Sequence, residues 1–286
     1  MRLLVTGGCG FVGSNFLRYV LQHYGPEMVT NVDALTTGRL VNVAGIAETH
    51  GDRYEFLHAD LADAERIEAV LAKHQFYAVV HCAAEGCGMV TTASLLDRAR
   101  HHGIRRFLVV SRDRENSALT ETEERALGAY REHGQEVVIT RASNNYGPFQ
   151  QPAELVPATI LHALRDEPVP IPGDGSRVRD WLHVEDHCAA LFAALLDGQP
   201  GAIYHLKSGH ELRDIDLAHR ILQHLGKSRD LVQFEPEQLD QAGVADVPHT
   251  PEPLAWKPRH HFEPALGETI DWYVHNREWW EALPAG

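Results

Sequence analysis

Two periods of apolar residues divide this chain. Short, nearly continuous apolar runs recur at Leu3-Leu4-Val5, Met28-Val29-Thr30-Asn31-Val32, Tyr54-Glu55-Phe56-Leu57-His58-Ala59-Asp60-Leu61 and Tyr77-Ala78-Val79-Val80-His81-Cys82, then at 106–111 and 136–141. Each reads as a buried strand. Between them, apolar positions fall at helical spacing, first Phe16, Leu17, Val20 and Leu21, then Ile67, Val70 and Leu71. A further helix is predicted over 94–100 with Gly103 as its stop, and a polar, acidic helix over 120–133 ending at Gly134. Strands and helices alternating in this way specify an α/β fold with a parallel, doubly wound sheet.

The junction of the first strand and first helix adds chemistry to that pattern. Gly8, Gly10 and Gly13 satisfy G-x-G-x-x-G, and Gly7, Gly10 and Gly13 satisfy the G-x-x-G-x-x-G variant. Glycines there allow a tight turn, a close backbone approach to a pyrophosphate and a helix N-terminus aimed at negative charge. Asp33 ends the second strand, where a carboxylate grips adenosine ribose hydroxyls. It repels a 2′-phosphate, so NAD is favoured over NADP. Asp60 follows the third strand and reads equally as a helix cap or as a partner of the adenine amino group. Ala83 and Ala84 follow the fourth strand, where small residues let a cofactor lie against the backbone.

Composition narrows the setting. A chain of 286 residues, 44% hydrophobic and 23% charged, has ample core for a Rossmann-type domain with a smaller attached lobe. A formal net charge of −14 disfavours nucleic acid or an anionic membrane as partner. No apolar run reaches membrane-spanning length, and the N-terminus reads as a strand rather than a signal peptide. Cys9, Cys82, Cys87 and Cys188 lack zinc spacing, and a cytoplasmic, reduced setting is expected. The pairs His101-His102 and His260-His261 lack H-E-x-x-H spacing and read as solvated residues, so no metal is expected.

Several blocks resemble a known family. Thr6-Gly7-Gly8-Cys9-Gly10-Phe11-Val12-Gly13-Ser14-Asn15-Phe16, His81-Cys82-Ala83-Ala84-Glu85, Arg141-Ala142-Ser143-Asn144-Asn145-Tyr146-Gly147-Pro148 and Arg179-Asp180-Trp181-Leu182-His183-Val184-Glu185-Asp186-His187 carry the likeness, with Trp256-Lys257-Pro258 and Trp279-Trp280 near the end. The chain resembles the extended short-chain dehydrogenase/reductases, and among them the dTDP-glucose 4,6-dehydratases. The resemblance implies a Rossmann-type NAD-binding domain over 1–143 with part of 180–210, and an interleaved C-terminal α/β substrate lobe over 144–286. It implies cofactor contacts from Gly7, Gly10, Phe11, Val12, Gly13, Asp33, Asp60, Leu61, Ala83 and Ala84. It implies substrate contacts from Asn144, Asn145 and Arg179, a nucleotide-sugar substrate and a homodimer; Asp180 and Trp181 read as structural.

The departures concern catalysis. The run that follows A-A-E in the family is mostly absent after Glu85. The family's S-T-D-E-V-Y-G reads Ser111-Arg112-Asp113-Arg114-Glu115-Asn116, which of the Thr, Asp and Glu keeps only the Asp, and no Y-x-x-x-K exists. Guanidinium cannot serve as a base in place of the Glu. The Asn of Y-N-I-G becomes His205, and the late arginine block becomes 246–253. An ordinary 4,6-dehydration is therefore not expected. Glu85 and Asp113 are the remaining acid–base candidates. Arg112 and Arg114 read either as an anion site or as solvated charges, Cys87 as a nucleophile or a surface thiol, and His81 and Cys82 as buried strand residues. The segment 238–253, without periodicity, reads as a loop. Three functions stay open: a nucleotide-sugar or natural-product enzyme with reassigned acid–base groups, a binding or regulatory pseudoenzyme, and a non-redox enzyme on the same fold.

Overall fold

The computed structural model describes residues 1–113, 119–236 and 254–282; the side chain of Glu85, Arg114 and the 238–253 segment lie outside that description. The chain divides into two compact units. The first comprises Met1–Ala142, His187–Leu206 and the described part of Ala242–Lys257. In chain order it holds β1 (Arg2–Thr6), α1 (Phe11–His23), β2 (Met28–Asp33), α2 (Ile46–His50), β3 (Tyr54–His58), α3 (Ala64–Lys73), β4 (Ala78–His81), α4 (Ala84–His101), β5 (Arg106–Arg112), α5 (Glu121–His133) and β6 (Glu136–Ala142). Strand β10 (Ile203–Leu206) completes a seven-stranded sheet of order β10-β6-β5-β4-β1-β2-β3, parallel throughout. Order reverses between β1 and β4, which is where parallel sheets of this kind open a crevice at their carboxyl ends.

The predicted strands are present, with differences at their ends. Strand β3 stops at His58, before Asp60. Asp63, not Asp60, caps α3 by accepting from the Arg66 N–H at 3.1 Å, while Asp60 accepts from the Ala62 N–H. Helix α4 begins at Ala84, ten residues ahead of the predicted 94, and bends at Gly88, whose φ of 76° is not helical. Helix α5 follows the sequence closely. Thr120 and Glu123 form a reciprocal capping box, and Gly134 closes the helix in the left-handed region.

Two buried arginines brace this unit. Arg141 on β6 pairs with Glu123 on α5 through Nε–Oε1 at 2.9 Å and Nη2–Oε2 at 2.6 Å, both residues 1% exposed. Burial alone would push the Glu123 carboxyl up, but the Arg141 hydrogen bonds and charge, with the Thr120 N–H, hold it below the usual range. Arg106, at the start of β5, donates to the carbonyls of Ala194, Leu195 and Gly198 and so closes α7 (Val184–Asp197). The core between the sheet and α3, α4 and α5 includes Leu4, Val79, Phe107, Ile67, Leu96 and Leu127.

The second unit comprises Ser143–Asp186, Lys207–Gln241 and Pro258–Gly286, as far as these are described. Its elements are β7 (Asn144–Tyr146), α6 (Leu155–Leu164), β8 (Val169–Pro172), β9 (Val178–His183), β11 (Glu211–Arg213), α8 (Asp214–His224), β12 (Val232–Glu235), α9 (Phe262–His275) and α10 (Arg277–Glu281). Strands β11, β9 and β7 form one small sheet, and β12 pairs with β8. Asp180 knits the unit together by accepting from Ser143 Oγ, from Ser208 N–H and Oγ, and from the Gly209 N–H. Trp181, the next residue on β9, is buried. Among the described residues, no helix is long and apolar enough to cross a membrane.

Breaking the Glu123–Arg141 pair from one side leaves an uncompensated buried charge. Glu123→Gln is expected to destabilise folding by about 3–5 kcal/mol, while Glu123→Leu combined with Arg141→Met should restore most of that loss. Urea unfolding of the three proteins checks both statements.

Candidate functional site

At the end of β1 the backbone turns through Gly7, whose φ is 70°, and its N–H bonds the Val32 carbonyl at 2.9 Å. A Cβ on Gly7 would stand 2.8 Å from the Ala83 nitrogen, so the turn touches the segment leaving β4. A Cβ on Gly13 would overlap the Gly7 carbonyl oxygen, which places the first turn of α1 directly on the glycine loop. Helix α1 opens at Gly10 with no side-chain cap. Its leading N–H groups are thus left for an outside acceptor, the geometry that suits an anion.

Asp33 holds this turn. Its Oδ2 accepts from the Cys9 N–H at 2.8 Å and its Oδ1 from the Leu35 N–H at 2.7 Å, with the residue 6% exposed. Each oxygen keeps a further lone pair, so the clamp leaves room for a ribose hydroxyl. Asn31 and Asn42 brace Cys9 from behind: Asn31 Nδ2 reaches its Sγ and the Tyr54 hydroxyl, and Asn42 Nδ2 donates to its carbonyl at 2.9 Å. Burial, aided by the Asp33 charge, pushes the Cys9 thiol up to about 12, so it stays protonated. Asp60 is exposed and Leu61 buried, just beyond the strand that pairs with β2.

Further along the carboxyl edge, His81 at the end of β4 is fully buried. Its Nδ1 stands 2.6 Å from Thr6 Oγ1, and its Nε2 lies 3.0 Å from Thr92 Oγ1 and 3.6 Å from Cys87 Sγ. Cys87 is therefore half-buried against a histidine rather than a lone surface thiol. Burial lowers His81 to about 4 and raises the Cys87 thiol. Neither shift favours transfer of the thiol proton to the imidazole, and the cluster acts as a neutral hydrogen-bonded brace between β1, β4 and α4.

Asp113, immediately after β5, behaves differently. Its N–H donates to the Ala142 carbonyl at 2.7 Å, and its Oδ1 lies 3.0 Å from Nδ1 of His205 on β10. The Asp113 side chain is 6% exposed and that of His205 26%. A buried carboxylate holding one nitrogen of a more exposed imidazole leaves the other nitrogen available for a proton. Arg112 precedes this pair and is exposed.

The predicted substrate residues lie in the second unit. Asn144 is exposed. Asn145 donates from Nδ2 to the Ser143 carbonyl at 3.0 Å, and its buried Oδ1 finds no partner among the described residues. Arg179 is held by Asp214 through Nε–Oδ1 at 2.7 Å and Nη2–Oδ2 at 2.9 Å, a bidentate pair that fixes the guanidinium plane. His260, expected to be solvated, instead sits 26% exposed beside Asp186, with Nδ1 3.0 Å from Oδ1.

The profile of the NAD-dependent epimerase/dehydratase family matches residues 120–206, and that of GDP-mannose 4,6 dehydratase matches residues 4–95. The chain is 35% identical to a dTDP-glucose 4,6-dehydratase of Streptomyces niveus, covering 99% of this chain and 96% of that one. It is 34% identical to a low-salt glycan biosynthesis protein of Haloferax volcanii, covering 97% and 100%. A solved dTDP-glucose 4,6-dehydratase of Bacillus anthracis in complex with NAD superposes with a TM-score of 0.88 at 32% identity, covering 98% of this chain and 99% of that one. The chain belongs to the NAD-dependent epimerase/dehydratase family.

This family member is shorter than its relatives. The 325 aligned positions with the Streptomyces niveus protein exceed its 286 residues by 39, in keeping with the missing run after Glu85. None of its eight tyrosines has a lysine four positions on. Tyr130, the one on α5, is 38% exposed and packs beside Gly201. Asn31, Asn42 and His205 escaped the sequence reading as site residues. Only His205 left a signal, as the replacement of a family Asn.

Two outcomes follow from this geometry. Gly13→Ala forces α1 off the turn and is expected to cost about 1–3 kcal/mol, read by urea unfolding. His81 has a folded value near 4 against an ordinary 6.5, so the unfolded chain binds the proton first. Stability should fall as pH drops from 6.5 towards 4, and this slope should be shallower in His81→Asn.

Proposed function

We propose that this protein binds NAD at the β1–α1 turn and acts on a nucleotide sugar, using a reassigned proton-transfer pair in place of the missing Tyr and Lys. The observation that carries the reading is the Asp113–His205 pair at the carboxyl edge of a sheet that also bears the glycine turn. The turn's residues fit a dinucleotide. Gly7, Gly10 and Gly13 would admit close backbone approach, the uncapped α1 N-terminus, including Phe11 and Val12, would hold the pyrophosphate, and Asp33 would take the ribose hydroxyls. Ala83 and Ala84, as small residues after β4, would let the cofactor lie against the backbone. Asp60 and Leu61, just beyond the strand that pairs with β2, would hold the adenine.

NAD supplies a reversible hydride acceptor for a sugar carbinol. Removing the carbinol proton then falls to His205, whose Nδ1–H is held by Asp113 and whose Nε2 is the acceptor. Asp113 stabilises the resulting imidazolium, much as a buried carboxylate does in other carboxylate–imidazole pairs. Glu85, in the first turn of α4, is the remaining acid–base group for a dehydration step. Asn144, Asn145 and Arg179 of the second unit are the proposed substrate contacts, with Arg112 offering a further cation. The protein is proposed to work as a homodimer.

A second reading keeps the ligands and drops the chemistry. The absence of any Y-x-x-x-K among the tyrosines favours a binding or regulatory pseudoenzyme. Mass spectrometry of molecules released by denaturing the purified protein separates cofactor binding from its loss. NAD is expected in the wild type and depleted in Asp33→Ala. Incubation with dTDP-glucose, followed by mass spectrometry for loss of water, reads turnover. His205→Ala and Asp113→Asn should each lower it by about 10²–10⁴-fold with NAD content unchanged. NAD retention with no turnover in the wild type would establish the pseudoenzyme instead.

A further inference from the structure

The second unit holds a cleft of about 280 Å³ whose lining includes Trp181, His183, Asp186, His210 and His260, and nothing in the proposed chemistry uses it. His183 ends β9, and Glu185 and Asp186 form the first turn of α7. His260 reaches the same place from the segment that leads into α9. The rings of His183 and His260 lie 4.2 Å apart, and His260 Nε2 is 3.5 Å from Glu185 Oε2. One donor atom from each of His183, Glu185 and His260 lies within 4.8 Å of the other two.

We propose that His183, Glu185 and His260 form a site for a divalent cation of the zinc class, with its open position facing the cleft. The spacing suits it. Donors about 2.0–2.1 Å from a tetrahedral zinc ion stand roughly 3.4 Å apart, close to the His260–Glu185 separation. The ligand set suits it too, because two imidazoles and a carboxylate with one open position favour zinc and its neighbours over calcium or magnesium. Asp186 supplies the outer support. Its oxygens accept from the Arg259 and His260 N–H groups at 3.0 Å each, and Oδ1 stands 3.0 Å from His260 Nδ1. A carboxylate beside Nδ1 leaves Nε2 to face the ion. A separate feature of the lining also asks for a ligand. Trp181, 4% exposed, lines the same cleft, and its buried indole N–H finds no acceptor among the described residues.

The sequence alone hides this site. His183 and Glu185 are two positions apart at a strand–helix junction, and His260 lies 75 positions beyond Glu185, so no local spacing template brings them together. The cation would join the start of α7 to the segment before α9, and its open position would accept an anionic or carbonyl oxygen.

Titration of chelator-treated protein with Co²⁺ and then Zn²⁺ tests the proposal, read by visible absorption and by equilibrium dialysis. Wild type should bind one cobalt with the intense visible bands of tetrahedral N/O coordination, and zinc should displace it. Glu185→Gln, at an exposed position, and His260→Ala should each weaken binding by at least about 10–100-fold, whereas His162→Ala should not. Thermal unfolding without metal shows that each variant is folded before its affinity is read. No uptake by the wild type, or uptake that neither Glu185→Gln nor His260→Ala weakens, overturns the site and leaves a metal-free histidine–carboxylate ion pair. Because neither residue belongs to the first unit, failure here leaves the proposed NAD chemistry untouched.

Discussion

The carboxylate of Asp33 sets the geometry on which the cofactor edge of the first unit depends. By accepting from the Cys9 and Leu35 N–H groups it ties the glycine turn after β1 to the end of β2. That tie allows Gly13 to press α1 against the Gly7 carbonyl, and Gly7 to lie against Ala83 after β4. The ends of β1, β2 and β4 and the N-terminus of α1 are thus brought close together. A single buried carboxylate shapes the turn, and in the proposed function it would also meet the ribose. Loss of its charge would remove the two N–H bonds that hold the turn.

The same edge carries the groups on which the proposed proton transfer rests. Position 114 carries an arginine, and tyrosine followed by lysine is gone. Yet Asp113 remains, and an imidazole on the edge strand reaches it at 3.0 Å. His81 makes an instructive contrast on the same edge. Both its nitrogens are spent on threonine hydroxyls in full burial, and its depressed basicity makes it a strut. Burial and partners, not residue type, separate the two histidines.

Much of the fold was legible because buried parallel strands write continuous apolar runs, and Gly103 and Gly134 mark helix ends chemically. The start of α4 was not legible, since Gly86 and Gly88 dilute the helical pattern and the bend at Gly88 breaks its phase. The glycine turn and Asp33 could be read because their residues are adjacent or follow a fixed strand–turn–helix template. His205, Asn31 and Asn42 could not, because their meaning lies in what they touch. His205 meets a residue 92 positions away, and Asn42 reaches back 33 positions to Cys9. The Asp214 partner of Arg179 was hidden for the same reason.

The edge position of β10 has a consequence for the order in which this unit becomes competent. Its strand arrives after a long excursion of the chain, and loop closure over such a span is among the slower events in assembling a parallel sheet. The sheet from β3 to β6 is contiguous in sequence up to Ala142 and carries the glycine turn in full. His205 joins Asp113 only when β10 docks on β6. Edge strands also open first in local fluctuations. Dinucleotide recognition would then persist through openings that disconnect the imidazole, so that ligand retention and proton transfer have separate thresholds of native-state stability.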